Sequence, residues 1–412
     1  MNTASIDHRA LYRLPWTLPD NAISWLEPTS ACNLACDGCY RENVAGSHKP
    51  LEKIREEVAA FRRLRNSDGI SIAGGDPLMH PEIVEIVRSI REMGMKPIVN
   101  TNGSRLTKEL LGELKKAGVY GFTLHVDSKQ GRPGWKGKNE IETNDLRLEY
   151  ATMLHEAGGI CCSFNSTVYE DTLEYVPEMV AWAGKHIDIV HTMVFILYRA
   201  AVPQIPFDWY AGAEKIDIKA LIYSEAGDRR VDMKSTEVVA EIRKRFPDFT
   251  PCAYLNGTEK AESYKWLLSA RIGTTERDYG YVGPKYMEIM QAGHHVGTGR
   301  YLAYVSPGMT SMGRTMLLFA PFDAGVRAIA KRWAGSLLAN PLRFFRKMHL
   351  QSIMIIQPVD FMENGAQNMC DGCPDMTMWN GELVWSCRLE ELKQFGGWVR
   401  TVPREDAPVP PA

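Results

Sequence analysis

The feature that most constrains the fold of this chain is a regular alternation of strand-like and helix-like segments between residues 22 and about 200. Six segments rich in Val, Ile, Phe and Thr resemble buried strands: AISWLEP (22–28), GISIAG (69–74), KPIVNT (96–101), GFTLHV (121–126), ICCSFNSTV (160–168) and DIVHTMVFIL (188–197). Amphipathic helical stretches lie between them, near 50–65, 81–94, 107–117, 144–158 and 172–185. This alternation predicts an α/β fold of parallel βαβ units, arranged as a barrel or as a doubly wound sheet.

The alternation ends near residue 205, and the rest of the chain predicts appended structure. The segments that we expect are an N-terminal extension (1–21), the βα region (22–205), an irregular insertion or cap (206–323), a basic amphipathic helical segment (324–359), a second cysteine-bearing domain (360–400) and a Pro-rich, flexible tail (401–412).

Composition narrows the class of protein. The 412 residues are 45% hydrophobic and 24% charged, with a net charge of −2, which argues against a nucleic-acid binder because such proteins are usually basic. The N-terminus, MNTASIDHRALYRLPW, lacks the apolar region of a signal peptide. No run of about 18 uncharged apolar residues predicts a transmembrane helix. We therefore expect a cytoplasmic protein.

Three cysteines stand close together in ACNLACDGCY, where Cys32, Cys36 and Cys39 have the spacing C-x3-C-x2-C. In a large chain without an export signal, clustered cysteines indicate metal ligands more than disulfides. A structural zinc ion or an iron–sulfur cluster normally takes four protein ligands, so three thiolates leave one metal position open. A zinc knuckle or an incidental cluster is the alternative interpretation.

This motif, after the first strand of a βα domain, resembles the signature of the radical S-adenosylmethionine (SAM) superfamily. The resemblance implies a partial (βα)6 TIM-type barrel in which Cys32, Cys36 and Cys39 hold a [4Fe–4S] cluster whose open iron binds SAM. It further implies a flavodoxin or ferredoxin as electron donor, reductive cleavage of SAM to a 5′-deoxyadenosyl radical, and hydrogen abstraction from an unactivated carbon.

Other strand ends carry motifs similar to those of that superfamily. The residues to which the resemblance assigns cofactor contacts are Gly74, Gly75 and Asp76 of AGGDP, Asn100 and Asn102 of NTNG, His125 and Asp127 of HVDS, Asn165 on the fifth strand, and Arg199 after the sixth. The glycines would let backbone approach the ligand closely. Alternatively, GGDP is an ordinary turn and helix N-cap, and the His125–Asp127 pair packs or caps a strand end.

A second cysteine group, Cys370, Cys373 and Cys387, has the spacing C-x2-C-x13-C. It resembles the auxiliary-cluster motif of the MoaA-like, SPASM and twitch groups within the superfamily, which implies a second [4Fe–4S] cluster. Between the cysteines, NGELVW predicts a small hairpin that returns Cys387 to the CxxC turn. The alternatives are a zinc site with a fourth ligand such as Cys252, an iron–sulfur electron relay completed by Cys252, or a merely structural set.

The segment 324–359 contains no Asp or Glu, and its Arg and Lys residues are interleaved with Trp, Phe and Leu. This composition is typical of a helix that lies in a membrane interface, and it also fits a helical hairpin packed over the barrel mouth. The first interpretation predicts peripheral contact with the inner membrane face and an apolar or lipid substrate. The opening of the domain also resembles lipid-acting members of the superfamily, such as the hopanoid adenosylating enzyme.

Two other functions stay open from the sequence. The resemblance to SPASM and twitch proteins also allows modification of a ribosomal peptide. A non-enzymatic zinc protein or two-cluster electron carrier is the alternative of another class, and it predicts no SAM binding.

Overall fold

The computed structural model of the chain describes residues 6–201, 207–225, 227, 229–362 and 364–404. Its strands are β1 (Tyr12–Arg13), β2 (Ile23–Thr29), β3 (Gly69–Gly74), β4 (Lys96–Thr101), β5 (Gly121–His125), β6 (Cys161–Val168), β7 (Thr192–Leu197), β8 (Phe207–Ala211), β9 (Glu214–Lys215), β10 (Ala253–Asn256), β11 (Tyr264–Thr274), β12 (Arg277–Tyr281), β13 (His349–Ile356), β14 (Asp360–Phe361), β15 (Gln367–Asn368), β16 (Met376–Trp379), β17 (Glu382–Trp385) and β18 (Val399–Pro403). Its α-helices are α1 (Leu51–Leu64), α2 (Ile83–Glu92), α3 (Lys108–Ala117), α4 (Asn144–Ala157), α5 (Val176–Lys185), α6 (Ser235–Arg245), α7 (Pro284–Thr298), α8 (Pro307–Thr310), α9 (Gly313–Met316), α10 (Ala324–Ala339) and α11 (Leu389–Phe395).

Strands β2 to β7 form a parallel sheet in chain order, with helices α1 to α5 between them. This confirms the predicted α/β barrel architecture, and all six predicted strands are present. Outward-facing strand residues such as Ile72, Val99 and Leu124 are fully buried in the main hydrophobic core, which the helices cover. The inward-facing neighbours Ser71 and Thr123 are small and polar, so the barrel interior is not filled by large side chains.

Beyond β7, the sheet continues with strands from parts of the chain whose sequence shows no clear hydrophobic periodicity. Strand β13 pairs parallel to β7, β11 pairs antiparallel to β13, and β10 and β1 follow. The expectation of a helical 324–359 is therefore correct for α10 and wrong for β13. The β13 sequence HLQSIMII forms a strand that pairs with β7 and β11, and its alternate residues His349, Gln351, Ile353 and Ile355 are buried.

The region after residue 360 forms small sheets beside the barrel. The predicted NGELVW hairpin is present as β16 and β17, joined through Asn380 and Gly381 with φ angles of 49° and 87°. Two successive positive φ angles are what a two-residue turn of type I′ requires, and Asn-Gly suits them best. Strand β18 pairs with β8, so the first residues of the predicted flexible tail are ordered in a sheet. The remaining tail, 405–412, and residues 1–5 lie outside the described residues.

A segment from α7 to residue 322 covers the amino-terminal end of the barrel strands. Ala303 N–H donates to Asp68, just before β3, at 3.0 Å, and Lys96 at the start of β4 donates to the Tyr304 carbonyl at 3.0 Å. The Cys161 thiol at the start of β6 donates to the Val305 carbonyl at 3.0 Å. We call residues 299–347 the cap. No helix in the described ranges is both long enough and apolar enough to cross a bilayer.

Candidate active site

Cys32, Cys36 and Cys39 lie on the loop after β2, at the carboxyl-terminal end of the barrel, opposite the cap. Burial, together with the smaller effect of the nearby charges of Asp127, Cys39 and Cys32, raises the pKa of the Cys36 thiol to about 12. The three thiols are therefore close enough to interact, and all are free. Among the residues that the structure describes, no three His, Cys, Asp or Glu side chains are grouped as a metal site. Three unpaired thiols on one loop fit a cluster chemically, and binding one requires them to draw together.

The GGDP turn holds the start of this cysteine loop. Gly75 N–H donates to the Thr29 carbonyl and Asp76 N–H to the Ala31 carbonyl, both at 2.8 Å. A Cβ on Gly75 would lie 2.5 Å from the Ser30 carbonyl oxygen and closer still to that of Ala31. The close approach that these glycines permit in this structure is to the backbone of the cysteine loop, and their contact with a cofactor stays a prediction.

Asp76 is occupied by protein partners. Its carboxylate accepts from Leu78 N–H at 2.9 Å, from the Thr101 hydroxyl at 2.8 Å and from Asn102 N–H at 2.8 Å. The first of these bonds caps the short 3₁₀ helix Pro77–Met79. The N-cap alternative considered from the sequence is therefore what the structure has, and Asp76 also ties the ends of β3 and β4 together.

The two asparagines of NTNG have different surroundings. Asn102 donates to the Asn33 side chain at 2.8 Å and lies 3.8 Å from the Cys32 sulfur, so it contacts the cysteine loop. Asn100 faces the barrel interior, and its buried side-chain N–H₂ group has no hydrogen-bond partner within the described residues. A buried amide donor without a partner fits a site that a ligand completes.

His125 and Asp127 are paired at the end of β5, with Nε2 of His125 at 2.8 Å from Oδ2 of Asp127. His125 also lies 3.2 Å from the Thr167 hydroxyl on β6. Burial raises the pKa of Asp127, but the hydrogen bond and charge of His125, together with the N–H groups of Lys129 and Thr167, outweigh it, so the pKa is lowered overall. Asn165 stands opposite His125 in the β5–β6 register and lines the barrel interior. The structure thus brings these three predicted residues to one strand end.

Arg199 lies apart from this cluster. Its guanidinium donates to the Asp360 carboxylate at 3.0 and 3.1 Å and to the backbone of Tyr198, and only 9% of its side chain is exposed. The charge of Arg199 is therefore already paired within the protein, and its role as a cofactor or substrate contact stays a prediction.

Sequence reasoning missed Arg132, which connects two strand ends. The buried guanidinium donates to the backbone carbonyls of Asn102 at 2.7 Å and His125 at 3.2 Å, and to the Gln130 side chain at 3.0 Å. It holds the polar ends of β4 and β5 at a fixed separation beside the cysteine loop. No periodic or motif signal in SKQGRPGW marks it out in the sequence.

Cys370, Cys373 and Cys387 also lie close together. A hydrogen bond to Cys370 raises the pKa of Cys373 first, followed by burial and the charges of neighbours that include Cys387. Cys252 is not part of this group: its thiol donates to the Leu268 carbonyl at 3.4 Å, and the charged neighbour that affects its pKa is Asp323. The zinc and relay alternatives that used Cys252 lose the ligand on which they depended.

Buried Arg41 connects the two cysteine groups. Two residues after Cys39, it forms an ion pair with Glu27 on β2 and lies 3.6 Å from Glu390. It also donates to the backbone carbonyl and hydroxyl of Ser386, next to Cys387, at 2.6 and 2.9 Å. The cysteine loop and the carboxyl-terminal segment are therefore held against each other by a desolvated charge network.

A cavity runs inside the barrel between its two ends. Its volume is about 170 Å³, more than ten times the roughly 15 Å³ that one water needs. Asn100 and Asn165 line it toward the cysteine loop, and Asp375, close to Cys373, also lines it. The residues that line the rest of it from the cap, from α7 and from β11 include Trp266, Met287, Met290, Met309 and Met316. Most of its wall is apolar.

Comparisons with known proteins agree with this arrangement. The family described as "Radical SAM superfamily" matches residues 26–183. The chain is 31% identical over 240 residues to a "Probable GTP 3',8-cyclase" of Saccharolobus solfataricus, covering 55% of this chain and 76% of that protein. It is 26% identical over 181 residues to an "AdoMet-dependent heme synthase" of Oleidesulfovibrio alaskensis, covering 42% of this chain and 46% of that protein. The chain thus spans less than half the length of the latter.

Among solved structures, Streptococcus suis SuiB bound to the precursor peptide SuiA matches with a TM-score of 0.36 and 18% sequence identity, covering 44% of this chain and 40% of that one.

Proposed function

Because the chain belongs to the radical SAM superfamily, we propose that it is an enzyme whose cofactor binds at Cys32, Cys36 and Cys39. The observation that carries the proposal is the placement of three free thiols on a loop that GGDP and Asn102 hold over the polar strand ends. When bound there, a [4Fe–4S] cluster with SAM on its open iron supplies reductive cleavage of SAM to a 5′-deoxyadenosyl radical, which removes hydrogen from an unactivated carbon.

The protein's own contribution is to orient the reactants and exclude water. The side-chain N–H₂ group of Asn100 is available to donate to a polar group of SAM or substrate, and Asn165 lines the same wall. Thr167 and Asp127 fix the imidazole of His125 at the strand end. Arg132 keeps the β4 and β5 ends in register with each other. The small inward-facing side chains leave space for the substrate inside the barrel.

The second cysteine group is proposed to hold an auxiliary [4Fe–4S] cluster. Three free thiols, without a fourth from Cys252, match a cluster with one open iron better than a closed zinc site. Asp375 lines the barrel cavity and lies beside these thiols, so a cluster there would be near the substrate. A flavodoxin or ferredoxin is the expected electron donor.

The substrate class that the cavity supports is apolar, with a lipid as the first candidate. Tryptophan and methionine side chains make up much of the lining, while only a few polar atoms face inward without partners, among them Thr123 Oγ and Gln291 Oε1. Such a lining suits a largely apolar molecule with few polar groups. Modification of a peptide side chain is the other reaction to test.

Anaerobic reconstitution with iron and sulfide, followed by dithionite and SAM, tests the proposal. About eight irons per chain are expected for two four-iron clusters, together with 5′-deoxyadenosine. Cys36→Ala should lose about four irons and all 5′-deoxyadenosine, whereas Cys373→Ala should lose the other four. Zinc in place of iron at the second group, or a fully loaded protein that yields no 5′-deoxyadenosine with lipid extracts or candidate peptides, would contradict it.

A further inference from the structure

Exposed large hydrophobic side chains are concentrated in the cap. Of the large hydrophobic side chains that are exposed among the described residues, those in the cap are Met309, Met312, Leu318, Phe322, Leu338, Leu342, Phe344 and Phe345, and the remaining six are spread over the other 340 or so described residues. Leu318 is 74% exposed and Leu338 is 90% exposed. We call these eight side chains the cap apolar face.

The segments that carry this face contact one another. Arg314 on α9 donates to the backbone carbonyls of Phe344 and of Arg346, and its guanidinium lies 4.7 Å from the centre of the Phe344 ring. Arg327 on α10 donates to the Ala320 carbonyl at 3.2 Å. The short helices of 307–319, helix α10 and the 3₁₀ turn Pro341–Phe345 therefore form one continuous unit.

The same unit is strongly cationic. Between residues 299 and 359 the sequence has a single carboxylate, Asp323, against eight Arg and Lys residues. Asp323 is buried and accepts from Val326 N–H and Gly283 N–H at 2.8 Å, so it does not offset the surface charge. Arg332 and Arg346 pair with Asp248 and Glu276. Within the described part of the chain, the exposed Lys331 and Lys347 have no carboxylate partner.

The cap also adjoins the barrel cavity. Met309 and Met316 line the cavity from the cap side, and Met309 is itself 45% exposed to solvent, so one residue borders both the interior and the outer surface. The backbone of Ala303, Tyr304 and Val305 closes the strand ends beside them. The apolar lining of the cavity thus continues into an apolar outer surface at the end remote from the cysteine loop.

We propose that the cap docks on an anionic lipid bilayer and admits an apolar chain into the barrel past Met309 and Met316. Exposed apolar side chains on the same unit as Lys331 and Lys347, two exposed cations without a carboxylate partner among the described residues, complement an anionic interface. The entry route rests on the proposed function, because it delivers the substrate to the same cavity. The docking on a bilayer does not depend on the proposed function. The geometry assigns lipid entry and cofactor binding to opposite ends of the barrel.

Vesicle flotation with the reconstituted full chain tests the docking. Phosphatidylcholine vesicles with added phosphatidylglycerol should bind the protein, and raising the salt concentration should weaken this binding. The double variant Leu318→Asp, Phe322→Asp should bind about tenfold more weakly, as should Lys331→Glu with Lys347→Glu. Ile222→Asp is the matched control, because Ile222 is 51% exposed outside the cap and should bind like the wild type.

Entry of the chain is tested by fluorescence quenching with brominated acyl chains in the same vesicles. Trp16 and Trp266 line the cavity and should be quenched in the wild type. Ala270→Phe fills the cavity from β11 without altering the cap, so vesicle binding should persist while this quenching falls. No binding of the wild type to anionic vesicles, equal loss with Ile222→Asp, or unchanged quenching with Ala270→Phe would overturn the proposal. If 5′-deoxyadenosine still forms in that case, the proposed function is retained, and only docking and lipid entry are rejected.

Discussion

Individual residues around the cysteine loop form hydrogen bonds and close contacts with other parts of the protein. Asp76 and the two glycines before it bind backbone and side chains of neighbouring strand ends. Asn102 does the same toward Asn33 and Cys32. These contacts attach the cysteine loop to the ends of the barrel strands, so the barrel determines where the thiols lie. A change at these residues should therefore be felt in stability and in cofactor loading together.

Gly75→Ala is the sharpest test of that coupling. The added methyl would collide with the Ser30 and Ala31 carbonyls and displace the cysteine loop. We expect a loss of about 2 kcal/mol in the free energy of unfolding and a lower iron content at the first site. Urea denaturation and iron analysis measure both. Gly112→Ala is the control, because an added methyl on α3 meets no atom within 4 Å and should stabilise the chain by up to about 1 kcal/mol.

His191 gives the molecule a defined response to pH. Burial lowers its pKa to about 4, and its Nδ1 accepts from Cys162 N–H at 3.0 Å in the neutral form. Between pH 6.5 and 4 the unfolded chain binds a proton that the folded chain does not, so stability falls as the pH falls through this window. The contribution of His191 should drop by roughly 2 kcal/mol between pH 7 and pH 5.

His191→Gln isolates this contribution. Urea denaturation of the wild type and the variant at pH 7 and pH 5 should give a shallower pH dependence for the variant. Equal slopes would mean that His191 does not titrate as its burial implies.

At the scale of secondary-structure elements, the carboxyl-terminal segment depends on the barrel for its position. Arg65 on the barrel side donates to the Cys373 carbonyl at 2.8 Å, and Arg41 binds both Ser386 and the Glu27 carboxylate. Neither arginine is marked by a motif. Because both are nearly inaccessible to solvent, removing either one would leave buried partner groups unpaired.

Arg41→Met should therefore be costly. It leaves Glu27 buried without its cation and Glu390 with Lys393 alone, and we expect a loss of about 4 kcal/mol in unfolding free energy. Arg9→Met, which breaks an exposed pair with Asp7, should change stability by less than about 0.5 kcal/mol. Thermal denaturation of the two variants measures the difference. Similar melting temperatures would show that the buried network contributes little.

The sequence predicted some of these elements well and others poorly, for physical reasons. The strands β3 and β4 were predicted with their observed ends, because short apolar β-branched runs bounded by Gly, Asn and Pro are local signals. β11 and β13 were missed because each is fixed by partners distant in the chain. The thiol groups were found from spacing, but the internal bonds of Asp76 and the pairing of Arg199 with Asp360 depend on tertiary contacts that spacing does not encode.

For the whole molecule, the barrel has two ends with different chemistry. The cysteine loop and polar strand ends lie at one, and the cationic, apolar cap lies at the other. The cavity between them joins both. Steps at the two ends should therefore be separable by mutation.

One whole-molecule test compares the two ends directly. Cys32→Ser should abolish 5′-deoxyadenosine formation without changing the elution volume on gel filtration or vesicle binding, because the cap lies at the far end of the barrel. The Leu318→Asp, Phe322→Asp variant should keep SAM cleavage in detergent-dispersed lipid. Loss of both properties in either variant would show that the ends are not independent.

The pairing of β13 with β7 also governs how the chain is made. Thr192–Leu197 is synthesised long before His349–Ile356, yet its free side is covered only by that later strand. Throughout the intervening synthesis, the nascent barrel carries an unpaired apolar edge, which is the kind of surface that aggregates or recruits a chaperone. Ribosome-stalled chains ending between 198 and 348 should thus remain protease-sensitive along β7. The barrel sheet can be completed only after β13, and therefore most of the polypeptide, has left the ribosome.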